Sequence, residues 1–258
     1  MDPLFTLAGF VVGLCVGLTG VGGGALMTPI LVMGFGIPTA LAVGTDLVYA
    51  AITKASSVWF HGRKGSIRWR LVGYLALGSL PATLITVMLL DYLQPSGNHE
   101  RLITIALGVT LIFTSLVLLL KERIARGLAS GHSRTGAWIR FHRTRLLILL
   151  GAVLGVLVTL SSVGAGALTA AILFLLYPRM PAIAIVGTDL AHAVPLATLG
   201  GLGHLQLGNV DLTLLGSLLL GSIPGTALGS QLGIHLPEQI LRRGLAGLLF
   251  LTGLKFAF

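Results

Sequence analysis

Long apolar runs alternate with short polar breaks along the whole of this 258-residue chain. They fall at residues 4–19, 24–35, 38–60, 69–92, 101–120, 145–161, 166–177, 181–203, 211–234 and 239–257. A membrane-crossing helix needs about 20 such residues, so the pattern predicts an all-α polytopic membrane protein. The runs 24–35 and 166–177 are too short to cross alone. Each joins its predecessor through glycine, as Gly20-Val21-Gly22-Gly23-Gly24 and as Gly164-Ala165-Gly166. Glycine costs about 1 kcal/mol in a helix interior, so a break is expected at both places. Irregular backbone inside lipid is tolerated only where protein or a water-lined cavity receives it. Both breaks therefore belong at the centre of the bundle.

The breaks are parts of a longer repetition. A shift of 142 residues lays Val21-Gly22 on Val163-Gly164, and a shift of 143 lays Gly44-Thr45-Asp46-Leu47 on Gly187-Thr188-Asp189-Leu190. The second shift also pairs Pro38 with Pro181, His61 with His204, Gly78-Ser79 with Gly221-Ser222, and Pro81 with Pro224. This reads as a duplicated half: residues 1–121 form a first membrane repeat, 122–144 a basic linker, and 145–258 a second repeat.

Composition supports the membrane reading. Hydrophobic residues make up 55% of the chain and charged residues only 10%, against about 25% charged in soluble domains. The net charge of +9 is not a nucleic-acid signal, because the bases gather in two loops as cytoplasmic flanks of spans do. Arg63, Lys64, Arg68 and Arg70 mark one such loop, and the stretch from Lys121 to Arg145 marks the other. The acidic stretch from Asp91 to Glu100 is then external. If each glycine-broken pair folds back as a re-entrant hairpin, every repeat crosses an odd number of times and the second is inverted. Arg179, Arg242 and Arg243 then fall inside. If each pair crosses once, the repeats are parallel, four spans each, and those arginines fall outside. Charge favours inversion. The N-terminus lacks the basic n-region and cleavage site of a signal peptide, so residues 4 onward read as a retained span. Cys15 is the single cysteine, which leaves no disulfide framework and no cysteine metal site. It reads as a packing residue.

Of eight acids, only Asp46 and Asp189 lie inside apolar runs, and they are partners under the 143-residue shift. An ionised carboxylate there costs several kcal/mol unless paired or hydrated. Two readings stay open: proton or cation coupling, or hydrogen bonding to the frayed backbone of the neighbouring break. Lys54 is the only base well inside a run. It stands two turns from Asp46, about 12 Å along a helix, and serves either as counter-charge for an anion or as a salt-bridge partner. The second repeat has Ala197 at the matching place, so any such site is asymmetric. His192, one turn after Asp189, offers a proton relay or a structural hydrogen bond. His61 and His204 read as helix C-terminal caps near the surface.

Helices opening near Gly23 and Gly164 present unpaired N–H groups at a positive dipole end, a ready anion site. Gly22, Gly23, Gly24, Gly164 and Gly166, with Thr45 and Thr188, are the candidate substrate contacts. Thr19, Ser161 and Ser162 could add hydroxyls. The bland alternative is close helix packing through small residues. No Gly-Lys-Ser/Thr follows either run, which excludes a phosphate-cradling nucleotide loop. No His-Glu-x-x-His, no Gly-x-Ser-x-Gly and no acid pair on one helix speaks for an enzyme. No cofactor or metal site is expected, and the sequence leaves oligomeric state open.

Gly20-Val21-Gly22-Gly23-Gly24 with Pro29, followed by Gly44-Thr45-Asp46 and their weaker second-half echoes, resembles the sulfite exporter TauE/SafE family, also called the toluene sulfonate uptake permease family. The likeness runs through nearly the whole chain. It implies a bacterial inner-membrane permease for sulfite, sulfonates, sulfoacetate or related anions. The second glycine run is reduced, and Ala171 stands opposite Pro29, so the second hairpin is expected to contribute less to the site. The combined expectation is a secondary transporter of a small sulfur-containing oxyanion, acting as an exporter, with protons as the candidate coupling ion. A passive channel and an uptake permease are the alternatives.

Overall fold

The structure, a computed structural model, describes residues 3–19, 24–63, 65–96, 98–129, 142–164, 166–232 and 238–257. Every regular element among them is helical. In order they are α1 (Pro3–Thr19), α2 (Gly24–Phe35), α3 (Thr39–Arg63), α4 (Trp69–Leu93), α5 (Asn98–Ala129), α6 (Arg143–Ser161), α7 (Ala167–Leu176), α8 (Ala182–Gln206), α9 (Leu212–Leu232) and α10 (Glu238–Ala257), with one 3₁₀ turn at Gln94–Ser96. Ten apolar runs thus become ten helices. Among the described residues, five stretches are long and apolar enough to cross a bilayer: Trp69–Leu93, His99–Leu120, Arg143–Ser161, Ala182–Gln206 and Leu212–Gly229. Helix α3 matches them in length but carries Asp46 and Lys54. Large apolar side chains such as Leu77, Ile85, Met88, Ile223 and Leu251 point outward, where lipid would meet them. Trp59 and Trp69, at the ends of α3 and α4, are exposed as interface-belt residues are.

The structure corrects two expectations. Helix α5 runs on to Ala129, well into the stretch read as linker. Lys121-Glu122-Arg123-Ile124-Ala125-Arg126 consists largely of good helix formers, and hydropathy is blind to helix that has left the membrane. His204 does not cap a helix at the surface. It is fully buried, and its Nε2 lies 2.9 Å from the Thr159 carbonyl oxygen. His61, half-buried, has its Nδ1 2.9 Å from Ser66 Oγ.

Small residues set the helix pairing. A Cβ on Gly9 would strike the backbone of Leu218, and one on Gly13 that of Ser222. A Cβ on Gly151 would strike Leu75, and one on Gly155 would strike Ser79. Residue numbers rise together in both sets, so α1 runs parallel to α9, and α6 parallel to α4. The second set is the first with 142 added to the glycine, and its partner helix shifted by 143. In contrast, Gly44 of α3 meets His204 and Asn209, while Gly187 of α8 meets His61 and Ser66. Numbers there run oppositely, so α3 and α8 are antiparallel. Helices α5 and α10 are antiparallel too: Gly253 abuts Ile112, and Ser115 Oγ donates to the Ala246 carbonyl at 2.8 Å.

This framework fixes depth. Helix α1 is parallel to α9, and α9 to α3, where Thr45 meets Asp211 and Tyr49 meets Ser222. Since α1 and α3 point the same way, α2 must return between them. At 12 residues it is about 18 Å long, short of the roughly 30 Å apolar core.

Candidate functional site

Helices α3 and α8 bring the two buried acids in from opposite ends. Asp46 lies seven residues into α3 and Asp189 seven residues into α8, about 10 Å along each axis. Because the helices are antiparallel, the carboxylates fall on opposite sides of the bundle's middle, and Lys54 stands between them. Asp46 is fully buried. Its Oδ2 accepts a hydrogen bond from Thr28 Oγ1 of α2 at 2.7 Å, and the Ser162 hydroxyl, at the end of α6, also acts on it. Asp189 is 6% exposed, and Lys54 and the Thr169 hydroxyl of α7 act on it. Lys54 is buried and lies within the field of both acids. His192, also fully buried, sits with Nε2 2.9 Å from Ser79 Oγ of α4 and within the field of Lys54.

Polar atoms are left over here. Asp46 Oδ1, Ser162 Oγ, Thr169 Oγ1, Asp189 Oδ1 and His192 Nδ1 are all buried without a hydrogen-bond partner. Native interiors leave few such groups, and each one asks for an explanation. They form two groups, Asp46 Oδ1 with Ser162 Oγ and Asp189 Oδ1 with Thr169 Oγ1, one on each side of the bundle's middle, with His192 Nδ1 on α8.

The second hairpin shows how the break is made. Ser162 closes α6 in the left-handed region at φ 56°. Gly164 follows at φ 109°, a conformation that a side chain would strain, and its carbonyl accepts the N–H of Gly166 at 2.7 Å. Helix α7 then opens at Ala167 with its first N–H groups at the level of this turn. Gly164 and Gly166 thus lie in the chain between Ser162, which faces Asp46, and Thr169, which faces Asp189. In the first hairpin Gly24 opens α2 one turn before Thr28. Gly22 and Gly23 lie outside the described residues, as does Ala165.

Thr45 and Thr188 are buried but turn their hydroxyl oxygens elsewhere. Thr45 Oγ1 accepts the N–H of Asp211 at 3.1 Å, and Thr188 Oγ1 accepts that of Arg68 at 3.0 Å. Each pins the lead-in of a following helix, α9 or α4, to the entry of α3 or α8. Together with His204 over Gly44 and His61 over Gly187, these contacts close the α3/α8 pair at both ends.

Sequence reasoning missed Thr28, Thr169 and Ser79. The two threonines stand near the start of their short helices, 18 and 20 residues before their acids. A hydroxyl at nearly matching positions in both broken helices was the available signal.

The architecture has known relatives. The profile of the sulfite exporter TauE/SafE family matches residues 5–256. The chain belongs to this family. It is 40% identical over 259 residues to the probable membrane transporter protein YjnA of Bacillus subtilis, covering 99% of both chains. It is 30% identical over 207 residues to the probable membrane transporter protein MJ0441 of Methanocaldococcus jannaschii, covering 78% of this chain and 70% of the relative. A second Bacillus subtilis protein, the probable membrane transporter protein YdhB, is 28% identical over 221 residues, 82% of each chain. No solved structure matches. The protein is therefore a multi-pass membrane transporter of the TauE/SafE family, and the polar cluster lies within the family's matched span.

Proposed function

We propose that the protein is a secondary transporter that exports a small sulfur-containing oxyanion, sulfite, a sulfonate or sulfoacetate, across the bacterial inner membrane. The observation that carries this reading is the set of buried polar atoms without hydrogen bonds on Asp46, Ser162, Thr169, Asp189 and His192. The opening turn of α7 at Gly164 and Gly166, the Gly22–Gly24 run and Lys54 supply positive potential for an anion. Thr45 and Thr188 accept backbone N–H groups and keep their own hydroxyl hydrogens to donate. Asp46 and Asp189, with His192, couple protons or organise the site.

The antiparallel course of α3 against α8, and of α5 against α10, supports inverted repeats over 1–121 and 145–258, with re-entrant hairpins and a cytoplasmic linker at 122–144. The latches at both ends of the α3/α8 pair support alternating access: releasing one end at a time opens the cluster to one side. An anion leaving through a negative-inside potential gains about 2.3 kcal/mol per charge per 100 mV, which favours export.

Proteoliposomes test this directly. Sulfite efflux should saturate, respond to imposed voltage, and fall at least about tenfold in Lys54→Ala, as expected when a buried charge partner is removed. Sulfate, sulfoacetate, taurine and thiosulfate rank the substrate class. Flux that never saturates and ignores pH gradients would identify a passive channel. Wild-type flux in both Lys54→Ala and Asp46→Asn would remove these residues from the mechanism.

A further inference from the structure

The two acids are matched by sequence, but the lysine between them is not. Lys54 acts on both acids, so two buried carboxylates share one cation. Residue 197, the repeat partner of Lys54, is alanine and is buried in the cluster that holds Leu196, Val43 and Leu47. Asp46 is the more deeply buried acid, yet its nearest polar groups are hydroxyls, those of Thr28 and Ser162. Neither its Oδ1 nor the Ser162 Oγ makes a hydrogen bond of good geometry, although the hydroxyl lies near enough to act on the carboxylate. Tyr49 and Lys54, on its own helix, are the titratable groups within its field, while Asp189 and His192 on α8 interact with Lys54 instead.

Each nearby group is a hard oxygen. Thr28 Oγ1 donates its hydrogen to Oδ2, which leaves its lone pairs for a cation. Ser162 sits one residue beyond the last turn of α6, whose final carbonyls carry the negative end of the helix dipole. In discontinuous helices such C-terminal ends coordinate cations, and N-terminal ends face anionic substrates. The single carboxylate fixes the charge: a monovalent ion neutralises it, whereas a divalent ion would leave an uncompensated positive charge in a low-dielectric interior.

We propose that Asp46, Thr28, Ser162 and the C-terminal turn of α6 form a binding site for sodium, the second cation that two buried carboxylates and one lysine lack. The ion joins both hairpins, α2 through Thr28 and α6 through Ser162. With sodium bound, Asp46, Asp189 and Lys54 sum to zero, and the neighbouring turn at Gly164 can accept an anion without facing net negative charge. What the ion does for transport rests on the transporter reading; that it binds does not.

The test uses the full chain in detergent or nanodiscs with no anionic substrate present. Sodium chloride is compared with choline chloride at constant ionic strength and pH. Sodium should raise Tm in proportion to the logarithm of its concentration, and radioactive sodium should bind once per chain. Asp46→Asn should abolish both signals, Asp189→Asn should retain them, and Ser162→Ala and Thr28→Val should each weaken binding about tenfold, as loss of a supporting ligand does. An equal Tm rise with choline, or sodium binding that survives Asp46→Asn, overturns the site. Proton uptake with no sodium dependence does so as well. Because no substrate is present, a protein that binds sodium but moves no sulfite would sink the transporter reading and leave this site standing.

Discussion

At the scale of single residues, Lys54 is the group on which the centre turns. It is buried with an acid on either side of it along the bundle axis. Breaking a buried charge pair from one side strands the other charge, which costs about 3–5 kcal/mol. Removing both charges leaves nothing stranded. Lys54→Ala should therefore destabilise the protein strongly, and Lys54→Ala with Asp189→Asn should recover most of the loss. Thermal unfolding of the two single variants and the double variant measures that coupling. A double variant as unstable as the sum of the singles would mean that Lys54 and Asp189 do not share their charge. The same lysine shows what was legible at this scale. Asp46, Asp189 and Lys54 are conspicuous because charge is rare in apolar runs. That Lys54 faces Asp189 as well as Asp46 depended on an antiparallel neighbour that no spacing within α3 can reveal. Thr28 and Thr169 were hidden for a related reason. Hydroxyls are common in membrane helices, where most return to a carbonyl one turn back, as Thr86 does to Ala82 at 2.7 Å and Ser161 to Leu157 at 2.6 Å.

At the scale of elements, glycine sets which helices touch. Gly9 and Gly13 admit α9 against α1, and Gly151 and Gly155 admit α4 against α6. The clashing atoms are backbone, so no rotamer change makes room for a side chain. Gly155→Leu should separate α6 from α4 and break the contact of Thr83 Oγ1 with the Gly155 carbonyl at 3.4 Å. A loss of about 3 kcal/mol is the scale for overpacking a tight contact. Gly73→Leu, where no atom lies within reach of a Cβ, should cost little. Matching thermal shifts for the two variants would refute glycine-dictated pairing. Helix positions were readable in the sequence to within a few residues, because apolar length is a direct requirement of the bilayer. Pairing was not readable: a small residue says that something approaches closely, not what. Helix α5 outran its apolar signal because Lys121 to Arg126 favour helix by propensity rather than by hydropathy.

At the scale of the whole molecule, helix directions make a claim about sidedness. If the Arg63 to Arg70 loop is cytoplasmic, α3 runs inward. Helices α1 and α9 then run inward with it, and α4, α6, α8 and α10 run outward. The start of α1 and the end of α10 therefore both lie outside, together with the α8–α9 turn at Gly208. The α3–α4 turn at Gly65 and the α7–α8 turn at Arg179 lie inside. Parallel repeats of four spans each would reverse Leu4, Arg179, Gly208 and Lys255, and leave Gly65 unchanged. Single cysteines at these five positions, in a Cys15→Ser background, separate the two. An impermeant maleimide applied to intact cells should label positions 4, 208 and 255 and spare 65 and 179 until the membrane is opened. Labelling of 179 from outside, with protection of 4 and 255, would require parallel repeats. In that event α3 and α8, both crossing in one direction, could not lie antiparallel, and the meeting of Asp46, Lys54 and Asp189 that underlies the transport proposal would be lost with them.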